Sequence, residues 1–276
     1  MALTINTNMA SMLVQRNMTA STNALNTAIQ RMTTGYRINS AKDDAAGMAV
    51  AIKLDTQLGA YDVASQNVQM GSALLTTLEE NDNLVLGHLQ RIRDLAEQAA
   101  NGVYDSSSTS AIAAEIDARF DEIDRLAKSV EFNGTKLMNG AITVNIQVGI
   151  NGGTDDRIAV GGATCDMKKS ALMDAGFDTG AEIVASASAA LEKIDTAIGT
   201  VKTKITAIGA YQNRLDSAAE SIEVARSNVS SALSTVRDAD VSTESSNYIK
   251  AQILQQAAAS LLTTANQSPS IALNLI

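Results

Sequence analysis

From Leu191 to Val236 the chain carries an apolar seam that never slips register. Leu191, Ile194, Ile198, Val201, Ile205, Ile208, Gln212, Leu215, Ala219, Ile222, Arg226, Val229, Leu233 and Val236 follow a strict alternation of three and four residues. Such a repeat marks a helix with one narrow stripe to bury against another helix. This one predicts a helix about 70 Å long at roughly 1.5 Å per residue. A second seam runs through Val68, Gly71, Leu75, Leu78, Asp82, Val85, Leu89, Ile92, Ala96 and Ala99. Two long stripes, distant in sequence, most simply bury each other. The expected fold class is mainly α, a long antiparallel helical hairpin or coiled-coil rod.

Composition supports thin seams over a thick core. The chain is 45% apolar but has no Trp, three Phe and five Tyr, so there is little bulk for a globular interior. The only proline is Pro269, which leaves the body almost free of covalent helix stops. The net charge of −9 argues against nucleic acid or an anionic membrane as a partner. No run approaches the ~18 consecutive apolar residues of a membrane span. Met1 to Ser11 lacks the basic start and continuous apolar core of a secretory signal, so any export is expected to use another machine.

Along the chain, Thr4 to Thr34 reads as helical, with Met18, Leu25, Ile29 and Met32 on one side. Its Asn, Thr and Ser content lowers intrinsic helicity, so alone in water it is expected to fray. Gly35 to Asp44 interrupts it, and a new helix starts near Asp43 or Asp44 and runs to Asn101-Gly102. Ile112, Ile116, Ile123, Leu126 and Val130 mark a third helix closed by Asn133-Gly134. Ile142, Val144, Ile146, Val148 and Ile150 alternate with polar or small residues, giving a half-buried strand. A turn at Asn151-Gly152-Gly153 leads to a return strand at Arg157 to Val160, one small β-hairpin. Gly161 to Gly180 reads as a loop. A final amphipathic helix covers about Ser245 to Ala265, with Ile253 and Leu261 assigned to an assembly or helix seam.

Nothing in the chain suggests catalysis. His88 and Cys165 are the only residues of their kinds and lie far apart, which excludes a usual zinc site and any internal disulfide. Gly149 to Gly153 opens a turn after a strand and lacks a Lys-Ser/Thr pair, so it is not a phosphate loop. Asp155 and Asp156 lack the spaced acidic ligands of a calcium loop. Carboxylate pairs such as Glu79-Glu80 and Asp43-Asp44 read as solvated faces or first-turn charges. No catalytic residue, cofactor or metal is assigned. Gln212 and Arg226 break one seam and Asp82 the other, a pattern that sets register. Asp82 is the costliest of the three to bury, so its carboxylate is expected to reach solvent or a basic partner.

The two ends carry a family resemblance. Arg37-Ile38-Asn39-Ser40-Ala41-Lys42-Asp43-Asp44-Ala45-Ala46-Gly47 resembles the N-terminal signature of bacterial flagellins. The run from Asp238 onward, DADVSTESSNYIKAQILQQAAASLLTTANQSPSIALNLI, resembles their C-terminal segment. Phe132-Asn133-Gly134-Thr135-Lys136-Leu137 resembles their short motif after the third helix. The resemblance spans nearly the whole chain and implies a structural, non-enzymatic subunit that polymerises with itself into an open helical filament for swimming motility. It also implies secretion through the flagellar type III export apparatus with its export chaperone, and contact with hook-associated and cap proteins.

By that resemblance, residues 1–44 form an N-terminal inner-tube helix and linker. Residues 45–180 form the N-terminal half of a rod with the hairpin at about 141–161, residues 181–237 its long C-terminal helix, and residues 238–276 a C-terminal inner-tube helix. Longer flagellins insert outer domains where only Gly161 to Gly180 stand here. The segment Leu89 to Gln98 resembles the one by which many flagellins engage the animal Toll-like receptor for flagellin. Carried over, Arg91, Leu95 and Gln98 would contact the receptor, supported by Gln90 and Glu115. Spacing of four and then three sets the first three in one line, away from the seam residues Ile92, Ala96 and Ala99. Rival readings are a hook-filament junction protein and, from another class, a signalling coiled coil.

Overall fold

The computed structural model describes residues 7–140, 142–162, 165–173, 177 and 179–273. The described chain is mainly helical, running α1 (Met9–Thr34), α2 (Ala45–Ala100), α3 (Ser106–Ser129), β1 (Glu131–Phe132), β2 (Thr135–Lys136), β3 (Ile142–Gln147), β4 (Arg157–Gly162), α4 (Lys169–Leu172), α5 (Gly180–Ala185), α6 (Ala187–Arg237) and α7 (Val241–Leu273). A helical start at Thr4 lies outside the described residues. The chain divides into two compact units, one of residues 1–58 and 228–276, the other of residues 59–227.

In the first unit α1 and α7 pack antiparallel. Asn8 Nδ2 donates to the Ala265 carbonyl (2.8 Å), Gln255 Nε2 to Thr22 Oγ1 (3.2 Å) and Arg31 Nη1 to Glu244 Oε1 (2.9 Å), so one numbering falls as the other rises. Asn8 caps α1 by accepting from the Ser11 N–H. Gly35 ends the helix at φ +75°, a left-handed conformation suited to glycine, with its N–H on the Arg31 carbonyl.

The break after α1 lies beside the break between α6 and α7. Tyr36 and Asp238 form an antiparallel bridge. Arg37 N–H donates to the Arg237 carbonyl (2.7 Å), and Ala239 N–H to the Gly35 carbonyl (2.8 Å). The Arg237 guanidinium lies 4.1 Å from the Tyr36 ring centre.

Each motif residue around this clasp has a local task. Asp43 Oδ2 accepts from the Asn39 and Ser40 N–H groups and the Ser40 hydroxyl, and these bonds hold its carboxyl below the usual range. Asp44 Oδ1 takes the Gly47 N–H at the start of α2 (2.9 Å). A Cβ on Gly47 would stand 2.6 Å from Cδ1 of the buried Ile38, so glycine is what lets Ile38 tuck in. Asp240 caps α7 through Ser242 N–H and the Thr243 hydroxyl.

The second unit holds the main apolar core. In it α2 and α6 run antiparallel, tied by Arg226–Asp62 (2.7 Å), Gln212 Nε2 to Glu79 Oε2 (2.8 Å) and Arg93–Asp195 (2.7 Å). Thus the polar residues that interrupt the α6 seam reach across to acids of α2. Between the helices Leu75, Leu78, Val85, Leu89 and Ile92 meet Ile194, Val201, Ile208 and Leu215 in one buried cluster. α3 adds Ile116, Phe120 and Ile123 to it. Burying each such side chain contributes about 1.5–3 kcal/mol.

The expected hairpin is present, β3 pairing with β4 from Ile142↔Gly162 to Gln147↔Arg157. It rests on α2 at Gly71, where a Cβ would stand 2.6 Å from Ile146 Cδ1. Asn133 and Gly134, expected to close the third helix, instead turn a second, two-residue hairpin between β1 and β2 at φ +48° and +78°. Between Gly161 and Gly180, read as a loop, Lys169 N–H donates to Asp124 Oδ1 (2.9 Å) and α4 forms.

Candidate assembly surface

α1 and α7 reverse the usual division of apolar side chains. Residues of α7 that are buried or half-buried recur at Glu244, Tyr248, Ala251, Gln255, Ala258, Leu262 and Ala265. Those of α1 recur at Ser11, Val14, Met18, Ser21, Leu25 and Ala28. Both sets step by three and four, so the two helices meet along coiled-coil seams. The seams are built largely from small or polar residues, which bring the backbones close but bury little apolar surface. Within this unit, only Ala28, Ile38, Ala51, Ala251 and Ala258 are fully buried apolar residues among those described.

Many large apolar side chains stay bare. On α7 Ile249 is 53% exposed, Ile253 59%, Leu254 48% and Leu261 58%. On α1 Met9, Met12, Leu13, Ile29 and Met32 are also exposed. Ile253 and Leu261, expected in an assembly or helix seam, therefore do not pack within the single chain. Ala251 and Ala258 take fully buried inward positions and Leu262 a half-buried one, while Ile253 and Leu261 face out. A bare patch of this kind on a helix pair marks a surface for another protein.

One ion pair interrupts the small-residue seam. Glu244 is 7% exposed and bound by Arg31, whose Nε is buried without a hydrogen-bond partner. Beside the pair a notch of about 490 Å3 opens among Ala20, Ala24, Ala28, Lys250, Ala251 and Leu254. It is wide enough to admit a side chain of a neighbouring molecule.

In the second unit Leu75, Leu78, Val85, Ile92, Ile198, Ile208, Leu215 and Ile222 are buried, and Ile205 and Gln212 are half-buried. Asp82 departs from expectation. It reaches neither solvent nor a basic partner: it is 1% exposed and neither carboxylate oxygen has a hydrogen-bond partner. Burial pushes its carboxyl up to about 7, against a weaker opposing pull from Lys204. The Lys204 ammonium donates instead to the Asp166 carbonyl. Burial, with the nearby Asp82, also raises the Cys165 thiol to about 11.

Of the residues carried over for receptor contact, Gln90, Arg91 and Gln98 are exposed, and Arg91 Nε donates to Glu115 Oε1 (3.0 Å). Leu95 does not share their face. It is 2% exposed, in the core, because α3 covers a second side of α2 next to the one that meets α6. No helix among the described residues is long and apolar enough to cross a membrane. No group of His, Cys, Asp and Glu among them is placed to hold a metal ion.

Comparison with known proteins bears on both units. Residues 5–143 match the family model of the bacterial flagellin N-terminal helical region, and residues 191–276 that of the C-terminal helical region. The flagellar filament 30.7 kDa core protein of Treponema maltophilum is 32% identical over 284 residues, covering 99% of each chain. Flagellin FlaB2 of Treponema pallidum is 32% identical over 283 residues, again covering 99% of each. Among solved structures, a putative flagellar hook-associated protein from Vibrio parahaemolyticus superposes with a TM-score of 0.59 at 18% identity, covering 71% of this chain and all of that one. That likeness is one of fold alone.

Proposed function

The chain belongs to the bacterial flagellins, and from that premise we propose that α1 and α7 make its principal contacts in the polymer. As a flagellin it is a structural protein, a subunit that polymerises with itself into the extracellular flagellar filament for swimming motility. The finer assignment is that residues 1–44 and 238–276 line the inner tube, and that residues 45–180 and 181–237 surround it. One observation carries this reading: Ile249, Ile253, Leu254 and Leu261 stand bare on α7 while Ala251 and Ala258 are its fully buried apolar residues. Identical subunits meeting through different surfaces build an open helix, so these faces need no closed partner in the single chain.

The same premise extends to the route of assembly. The subunit passes through the flagellar type III export apparatus, escorted by the export chaperone, and meets hook-associated and cap proteins at the filament ends. Limited proteolysis of monomer and filament tests the contact assignment. Cleavage within α1 and α7 is expected in the monomer and blocked in the filament, while α2, α3 and α6 resist in both. Equal protection of α1 and α7 in the two states would remove the assignment.

A receptor face is a second proposal, supported by the exposed Arg91 with its Glu115 partner and by Gln90 and Gln98. With Leu95 buried, contact with the Toll-like receptor for flagellin would rest on these polar groups. Arg91→Ala is expected to weaken receptor signalling by the monomer without altering polymerisation. An unchanged dose response would eliminate the role.

A further inference from the structure

We propose that the start of α1 is an oxidative modification site, where the thioethers of Met9 and Met12 take oxygen from a hydroperoxide and the resulting sulfoxides block subunit addition. The inference rests on the proposed role of α1 and α7 in assembly. Met9 is 71% exposed and Met12 59%, and with Leu13 at 50% they form a bare cluster within one helical turn. These three lie outside the set Ser11, Val14 and Met18 that faces α7. A flexible, polarisable thioether adapts well to an irregular contact surface. The same exposure opens its sulfur to oxidants as long as the subunit is free.

The distribution of methionines makes the site selective. Met138 and Met167 are 0% exposed and Met173 is 6% exposed, all within the core of the second unit. Oxidation should therefore spare the fold and strike the contact surface. Met70, 57% exposed on α2, and Met32, 37% exposed near the other end of α1, remain when Met9 and Met12 are replaced by Leu and serve as internal controls.

In the reaction a sulfur lone pair attacks one peroxide oxygen, the S–O bond forms and the O–O bond breaks. For hydrogen peroxide the other oxygen leaves as water after proton transfer. Sulfur loses two electrons and the peroxide gains them. The product is a polar, chiral sulfoxide that methionine sulfoxide reductases with a thiol reductant can reverse.

The test treats purified full-length monomer with hydrogen peroxide, maps sulfoxides by peptide mass spectrometry, and measures critical concentration by sedimentation of seeded filaments. Wild-type chains oxidised at Met9 and Met12 are expected to need at least about tenfold higher monomer to elongate, and reductase treatment to restore them. Met9→Leu with Met12→Leu should elongate equally before and after peroxide, even with Met32 and Met70 oxidised. The inference is overturned if wild type carrying both sulfoxides elongates normally, if reductase does not restore it, or if peroxide impairs the double Leu variant as much. An untreated variant with Met9→Asp and Met12→Asp separates the two layers. If it polymerises normally, α1 is not an assembly contact and the underlying reading fails. If it does not polymerise while the sulfoxide chain does, only the oxidation inference falls.

Discussion

Cut back to residues 35–241, the chain is expected to keep a cooperatively unfolding core and to lose polymerisation altogether. The main apolar cluster runs from Ala64 to Ile222, entirely inside residues 59–227, so this truncation removes none of it. The clasp of Tyr36 with Asp238 also remains. What goes is the α1–α7 pair and its bare Ile253, Leu254 and Leu261. Point substitutions in the full chain should reproduce the effect. Burying an isoleucine or leucine at a subunit contact contributes about 1.5–3 kcal/mol. Ile253→Asp with Leu261→Asp removes two such contributions and places carboxylates where water is excluded. Critical concentration should rise more than about a hundredfold, equivalent to roughly 3 kcal/mol per subunit. Circular dichroism and denaturant midpoints should stay near wild type, because both side chains are solvated in the single chain. Filaments pelleting at the wild-type concentration would refute the placement of the contact.

The seams that organise the second unit could be read directly because their residues are large. Leu75, Leu78, Val85, Leu89 and Ile92 announce a 3.5-residue period, and Ile194, Ile198, Val201, Ile208 and Leu215 announce its partner. The α7 seam was hidden for the opposite reason. Ala251 and Ala258 carry too little side chain to dominate a pattern, so Ile253 and Leu261 drew the assignment although they face outward. Small residues are favoured at that seam because two backbones approach closely there, and no apolar count reports backbone distance.

Leu95 departs from its spacing for a different physical reason. Residue spacing ranks positions on one helix face, but it does not say how many neighbours the helix has. α2 buries adjacent pairs, Leu95 with Ala96 where α3 covers a second side of it and Leu74 with Leu75 where Phe132 and β3 do. A stripe two residues wide is the mark of a helix with two partners. The signature around Arg37 to Gly47 is legible as a motif, whereas its tasks depend on the folded chain: the Asp43 turn, the Asp44 cap, and the space beneath Gly47 for Ile38.

Asp82 supplies the second large effect, one that depends on pH. Burial disfavours the charge and pushes its carboxyl up to about 7 from the ordinary 3.8. Between those values the folded chain holds a proton that the unfolded chain has released. The stabilising contribution of this residue is therefore complete below pH about 4 and is lost as pH rises through about 7. At 1.36 kcal/mol per unit the loss approaches about 4 kcal/mol, a ceiling, since water entering beside the carboxylate would relax part of it. Asp82→Asn keeps the shape and removes the titration. The variant should match wild type near pH 4.5 and become progressively more stable toward pH 8, and denaturant unfolding of both chains across that range measures the gap. The difference isolates Asp82, because every other titrating group is common to the two chains. A gap that does not change with pH would mean that Lys204 swings from the Asp166 carbonyl to neutralise the carboxylate as it ionises. In that case Lys204→Met should restore the pH dependence, because the methyl thioether has no charge to offer.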